Sequence, residues 1–192
     1  MFRISFLCFL LLLASTSSSA DPRQNITDTL NQFHTAAARA DQGAYLGLLT
    51  EEFVFLGTDA TERWQGQAFR DFVEAHFSKG RGWTYTLADR QIEISPRGNS
   101  AWFDELLDNE QLGRCRGSGV LVRSDAGWKL AQYNLSVPVP NSMVVTMAAA
   151  IKALQEGGEL ELEIERAKDG GLKSVEIEVE LKPNDDKDDD ED

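Results

Sequence analysis

The sequence predicts an α+β domain, with helices first and a strand meander after them. Three observations carry this. Apolar residues recur at helical spacing in the first third of the chain after its leader. Four β-prone stretches then follow one another between Trp83 and Val137. Their separators are short and turn-rich: Ser95-Pro96-Arg97-Gly98, Asp108 to Leu112, and Ser124-Asp125-Ala126-Gly127. Short separators favour antiparallel hairpins, and helices that precede such a meander must cover one face of a curved sheet.

Taken in order, Gln24 to Ala40 carries Ile26, Leu30, Phe33, Ala37 and Ala40 on one helical face. Asp41-Gln42-Gly43 breaks it, and Ala44 to Leu49 resumes as a short second helix. Phe53 to Leu56 is β-prone and ends at Gly57. Gln67 to Phe77 is a third helix with Phe69, Phe72, Val73 and Phe77 on one side. After Lys79-Gly80-Arg81-Gly82 the predicted strands are Trp83 to Ile94, Ser100 to Leu107, Gly113 to Arg123 and Trp128 to Val137. Beyond Pro138 and Pro140, Met143 to Gln155 suits a helix. In Glu159 to Glu165 and Val175 to Leu181 apolar residues alternate with other residues, mostly glutamates, the period that puts each set on one strand face. A hairpin turn is expected around Asp169-Gly170-Gly171. The resulting division is a leader over 1–20, a domain over 21–141, a helix-and-hairpin extension over 142–182 and a disordered acidic tail over 183–192.

The leader has the order of a secretory signal peptide. Arg3 precedes an apolar run from Ile4 to Ala14, and Ser18-Ser19-Ala20 supplies small residues for cleavage before Asp21. The protein is therefore expected to be exported, to a periplasm or the outside, with no stable membrane span after cleavage, because the run is short for a bilayer. Cleavage leaves Cys115 as the one cysteine, so no internal disulfide is expected. Arg114 and Arg116 flank it and would lower its pKa if close in space; a half-buried strand cysteine is the plainer reading. Between Asp21 and Gly158 there are 17 acids and 13 bases, and from Glu159 onward 15 acids and 5 bases. The acidity thus sits in the C-terminal extension, and a nucleic-acid partner is not expected without a basic footprint.

Several segments together resemble the SnoaL-like branch of the nuclear-transport-factor-2-like superfamily. They are Phe33 to Asp41, Phe55 to Trp64, Ala101 to Glu105, Arg116-Gly117-Ser118-Gly119, Gly127-Trp128-Lys129, and Tyr133 to Ser136 running into Pro140-Asn141. The resemblance implies a cone-shaped α+β barrel: N-terminal helices packed on a strongly curved, mostly antiparallel sheet around a pocket open at one end. It also implies a homodimer formed through the outer sheet face. Isomerases, dehydratases, polyketide cyclases and non-catalytic modules share this fold, so the fold leaves the activity open.

A catalytic reading needs a base and a polarising acid facing one apolar cavity. Strand alternation places Trp102, Asp104 and Leu106 on one side, and Phe103 and Glu105 on the other, so one of Asp104 and Glu105 faces inward. That carboxyl, beside aromatic rings, is expected to titrate above a solvated acid; the alternative is an ion pair with Arg114 or Arg116. His34 is a candidate proton carrier or a hydrogen-bonded core or surface histidine. Asp59 is a candidate ligand contact or a turn cap. Trp64, Trp83, Tyr85, Trp102 and Tyr133 are expected as aromatic pocket walls, with Arg116 and Asn134 among their polar groups. The cyclases of the family commonly use an Asp and a His, whereas Gln132, Tyr133 and Asn134 put neutral groups on the last strand here. No metal-ligand spacing and no phosphate-binding motif is present, so no cofactor or metal is expected. The glycines at 117 and 119 are read as permitting a bulge or a bend. The expected function is binding of a small, partly apolar ligand. The alternatives are an isomerase-, cyclase- or dehydratase-like enzyme with Asp104 or Glu105 as base, or a dimer scaffold.

Overall fold

The computed structural model describes residues 21–157, 159–166 and 172–180. The leader at 1–20, the turn at Asp169-Gly170-Gly171 and the tail at 183–192 lie outside the described residues. The order of elements is α1 (Pro22–Ala38), α2 (Gln42–Gly47), β1 (Leu49–Leu56), β2 (Arg63–Gln65), α3 (Gln67–Phe77), β3 (Thr86–Ile94), β4 (Ser100–Asn109), β5 (Gly113–Ser124), β6 (Gly127–Ser136), α4 (Val144–Gln155), β7 (Glu159–Arg166) and β8 (Leu172–Glu180). The chain divides into two units between Val137 and Pro138.

The first unit is the α+β cone. Its six strands lie in the order β2-β1-β6-β5-β4-β3. All neighbours are antiparallel except β1 and β6, which run parallel. α1 begins where Asp21 accepts the Arg23 N–H at 3.0 Å and Pro22 takes the first helical turn. Ile26, Leu30, Phe33 and Ala37 are buried along its inner stripe. Asp41 caps α2 by accepting the Ala44 N–H at 3.0 Å, so this helix starts two residues earlier than its apolar pattern indicates. α3 buries Phe69, Val73 and Phe77 at i, i+4 and i+8. These stripes meet the inward faces of the sheet in one core that includes Tyr45, Phe53, Leu107, Leu121 and Leu130.

Besides α2, the first unit differs from the sequence expectation at β1, β2 and β3: β1 begins at Leu49 rather than Phe53, so Leu49 opens the strand instead of ending the second helix. β3 starts at Thr86 rather than Trp83, so Trp83 and Tyr85 belong to the preceding loop. β2 was not expected: three residues are too few to show a period, and its ladder to β1 (Phe55 opposite Trp64) defines it instead.

In the second unit α4 packs on β7 and β8, which pair antiparallel with Leu162 opposite Ile177 and Glu161 opposite Glu178. β8 spans Leu172–Glu180, beginning three residues before the expected strand. Ala150 and Ala153 are the buried residues of α4. No described helix is long and apolar enough to cross a membrane.

Candidate functional site

The register of β4, β5 and β6 sorts the candidate residues into two faces. On the inner face Phe103, Gly119 and Tyr133 lie side by side, and so do Glu105, Gly117 and Leu135. On the outer face the rows are Trp102, Val120 and Gln132, then Asp104, Ser118 and Asn134, then Leu106, Arg116 and Ser136. The inward carboxylate is therefore Glu105, which is 1% exposed, while Asp104 faces out. Four residues expected at the site stand on that outer face instead. Trp102 is 50% exposed, and Trp102, Asp104, Arg116 and Asn134 all lie outside the cavity.

Glu105 holds three donors. Its Oε1 accepts from His34 Nε2 at 2.7 Å and from the Tyr133 hydroxyl at 2.9 Å. Its Oε2 accepts from Arg90 Nε at 2.7 Å. Arg90 stands directly opposite Glu105 in the β3–β4 ladder, and a second guanidinium nitrogen donates to Asn31 Oδ1 at 2.9 Å. The partner of the buried carboxylate is thus Arg90, not Arg114 or Arg116; Arg114 pairs with Asp108 on the exposed end of the hairpin at 2.7 Å. The expected upward pKa shift is also reversed. Burial pushes the Glu105 carboxyl up, but the hydrogen bond and charge of His34, then Arg90, outweigh it and hold the group below its ordinary value. The same carboxylate, after burial itself, drives the Tyr133 phenol well up.

An ionised Glu105 accepts from every neighbour, so His34 carries its proton on Nε2 and, when neutral, leaves Nδ1 as an acceptor. That Nδ1 has no partner among the described residues. His34 stands on α1, and its ring lies edge-on to Phe33 at 5.4 Å and to Tyr133 at 6.2 Å.

Gly117 and Gly119 make this arrangement possible. Any side chain at Gly117 would collide with the Tyr133 hydroxyl and sit 2.9 Å from Glu105 Oε1; one at Gly119 would meet the Phe103 ring 2.9 Å away. Neither has a positive φ, so they serve close approach rather than a bend. The one register irregularity of β5 on β6 falls after them, between Val120 and Leu121.

In front of His34 and Tyr133 lies a cavity of about 200 Å³. Phe33, His34, Tyr45 and Tyr133 form its deep end; Phe55, Trp64, Phe72, Trp83 and Tyr85 form half-buried walls. Exposed Thr58 and Leu112 mark the mouth. Trp64 packs on Phe72 at 4.6 Å and Phe77 on Trp83 at 4.7 Å. Of the expected residues, then, His34, Trp64, Trp83, Tyr85 and Tyr133 meet at the cavity, and Glu105 stands behind it. Asp59 does not line it: its carboxylate accepts the Thr61 N–H at 2.8 Å and the Thr61 hydroxyl at 2.6 Å, the turn-capping role. Those bonds hold the Asp59 carboxyl below its ordinary value.

Tyr45, Phe55, Glu62, Phe72 and Arg90 were not foreseen. Tyr45 is 0% exposed and stacks on Phe33 at 4.7 Å. Its hydroxyl is buried and completes no hydrogen bond within normal geometry among the described residues. Burial drives this phenol well up, against a smaller pull from the neighbouring Trp83 indole N–H. Cys115 is buried, and burial followed by Asp108 raises its thiol, opposite to the lowering that flanking arginines suggested. Among the described residues no cluster of three His, Cys, Asp or Glu side chains could hold a metal.

Residues 26–140 match the family model of the SnoaL-like domain. Solved structures of the same shape include an NTF2-like protein of unknown function from Pseudomonas putida KT2440, with TM-score 0.53, 13% identity, 62% of this chain and 89% of that one covered. An NTF2-like protein from Cytophaga hutchinsonii aligns with TM-score 0.51 and 16% identity over 62% of this chain and 99% of its own. A candidate dehydratase of the NTF2-like family from Streptomyces avermitilis aligns with TM-score 0.53 and 13% identity over 62% and 97%. At these identities the likeness is one of fold. No curated protein matches the chain.

Proposed function

The chain belongs to the SnoaL-like domain family, and from that premise we propose that its first unit is a receptor for a small, partly apolar ligand held in the aromatic cavity. The observation that carries this reading is the Tyr45 hydroxyl, buried on the cavity wall without a completed hydrogen bond. An unsatisfied buried hydroxyl costs about 1–3 kcal/mol, a cost that a bound ligand with an acceptor atom removes. The aromatic walls supply the apolar remainder of the affinity. Native mass spectrometry of the purified protein beside Tyr45→Phe tests it. The wild type should carry an adduct of constant mass, and the variant should lose most of it without melting lower. A wild type that carries no adduct and responds to no compound of the cavity's size overturns the reading.

A second reading has its own observation, the 2.7 Å bond from His34 Nε2 to Glu105. A histidine oriented by a buried carboxylate is the arrangement of a general base. On this reading His34 Nδ1 takes a proton from the bound molecule and Glu105 stabilises the imidazolium, acting as a positioning residue rather than as the base. It fits an isomerase-, cyclase- or dehydratase-like reaction. Deuterium exchange into a bound carbonyl compound, abolished in His34→Gln, distinguishes it from binding alone.

The protein is further proposed to be exported with Asp21 as its mature N-terminus, on the order of charge, apolar run and small residues in 1–20. A homodimer through the outer sheet face is proposed on the family resemblance and on the half-exposed Trp102, beside which Val120 stands, with Leu106 further along the same face.

A further inference from the structure

We propose that the ligand is an organic monocation, an alkylammonium group seated between Glu62 and the aromatic walls with a neutral end directed at His34 and Tyr45. This rests on the reading of the cavity as a ligand site and specifies what that site takes.

Among the described residues no lysine or arginine lines the cavity, and Glu62 is the only carboxylate that does. Arg90, the one guanidinium near its deep end, is held by Glu105 behind the wall. With Glu105 and Arg90 offsetting each other, the fixed charge left on the wall is that of Glu62. Glu62 forms no ion pair among the described residues; its Oε2 accepts only the Asp59 N–H, at 3.3 Å. An anionic ligand would meet this carboxylate in a half-buried setting with nothing to offset it.

Glu62 is also held in place. Its carbonyl accepts the Gly57 N–H at 2.9 Å, and its side chain lies so close over Gly57 that any side chain at 57 would collide with the carboxylate. The half-buried Tyr85 phenol is pushed up to about 12, by burial first, then by Cys115 and Glu62, so this wall disfavours a second negative charge.

The rings supply the other half of the recognition. Eight aromatic side chains line the cavity, and ring faces attract a cation through their quadrupoles, tryptophan most strongly. Trp64 and Tyr85 are half-buried, as Glu62 is, so the cationic end belongs in the outer half. The inner half offers an acceptor at His34 Nδ1 and an unclaimed hydroxyl at Tyr45, partners for a neutral polar group such as an alcohol. A neutral ligand uses the rings but leaves Glu62 without a counterion; a cation uses both.

Choline and its uncharged isostere 3,3-dimethyl-1-butanol test this, because they differ in charge and not in shape. Binding is read from intrinsic tryptophan fluorescence at one fixed pH for all proteins and both compounds. Choline should bind at least tenfold more tightly than the alcohol, and Glu62→Gln should reduce that preference to threefold or less. Trp64→Leu should weaken choline more than the alcohol. Equal or tighter binding of the alcohol overturns the cation assignment and leaves the receptor reading standing. A preference that survives Glu62→Gln unchanged overturns the role given to Glu62. No response to either compound overturns the cation assignment, while the receptor reading stands or falls on the adduct measurement with Tyr45→Phe.

Discussion

Tyr133 reaches Oε1 of Glu105 at 2.9 Å by passing over Gly117, a residue with no side chain to stand in the way. The same oxygen takes the Nε2 proton of His34 at 2.7 Å. One carboxylate atom thus ties the last strand of the meander to the first helix, and the bare backbone of the strand between makes the tie possible. Four predictions follow from this arrangement and from the sorting of the two sheet faces.

Glu105→Gln keeps the shape of the side chain and removes its charge, leaving Arg90 buried without an anion. The expected cost is about 3–5 kcal/mol of stability, the range for breaking one side of a buried pair, read from urea melts at neutral pH. The pH dependence has a definite sign. The folded carboxyl sits below its ordinary value of 4.5, so its contribution is complete above about that pH and is lost as pH falls further, through the folded value. The wild type should lose stability in that acid window more steeply than the variant. Equal stability of the two at neutral pH would mean that this carboxylate is not ionised in the folded protein.

Gly117→Ala should destabilise by forcing Tyr133 off Glu105, and Tyr133→Phe should destabilise by about 1–3 kcal/mol through the lost charge-assisted bond. The two are coupled, because both act on the same hydroxyl. The alanine should therefore cost less in the phenylalanine background than alone, by 0.5 kcal/mol or more. Strict additivity in the double-mutant cycle would show that Gly117 is kept for some other reason.

Asp104→Asn should change stability by less than about 0.5 kcal/mol, as exposed substitutions usually do, and should leave ligand binding as it was. It adjoins Glu105 in sequence and differs only in the face it occupies. Loss of binding in this variant would place a site on the outer face after all.

Trp102→Asp should convert a dimer to a monomer in light scattering while leaving the cavity intact, since Trp102 lies on the opposite side of the sheet. A wild type that stays monomeric at all concentrations removes the dimer proposal.

Much of this was legible in the chain, and what was missed has a physical cause. α3 follows from Phe69, Val73 and Phe77 at i, i+4 and i+8, and β4 to β6 from their alternation and short turns. The face of β4 was also readable: Ala101, Phe103, Glu105 and Leu107 share one parity, and Glu105 is the lone charge in that apolar set. Trp102 misdirected the site because a tryptophan suggests a pocket wall, whereas strand parity puts it outside with Asp104. Arg116 and Asn134 followed it there through cross-strand register, which the sequence does not contain. Arg90 illustrates the same limit. Its inward position is visible from its alternation with Ile92, but its pairing with Glu105 depends on how β3 and β4 align, across a register shift between Leu87 and Asp89. Tyr45 was hidden for another reason: a tyrosine on a six-residue helix carries no period to reveal what it faces.

The parallel contact of β1 with β6 bears on the order in which the molecule assembles. Phe55 and Tyr133 are neighbours in that ladder, separated by most of the domain's length. The hairpins β3–β4, β4–β5 and β5–β6 close over short loops and can form early, but β1, apart from its three-residue ladder to β2, joins the sheet only through β6. Contacts of such wide sequence separation slow folding, because the loop must close before it is rewarded. The wall bearing Phe55 and Trp64 therefore joins the wall bearing Tyr133 at the end of the process. A nascent chain halted before Gly127 lacks the wall bearing Tyr133, so the wall bearing Phe55 and Trp64 stands without its partner strand and with its aromatic face open to water. Apolar surface exposed in this way makes a folding intermediate prone to aggregation.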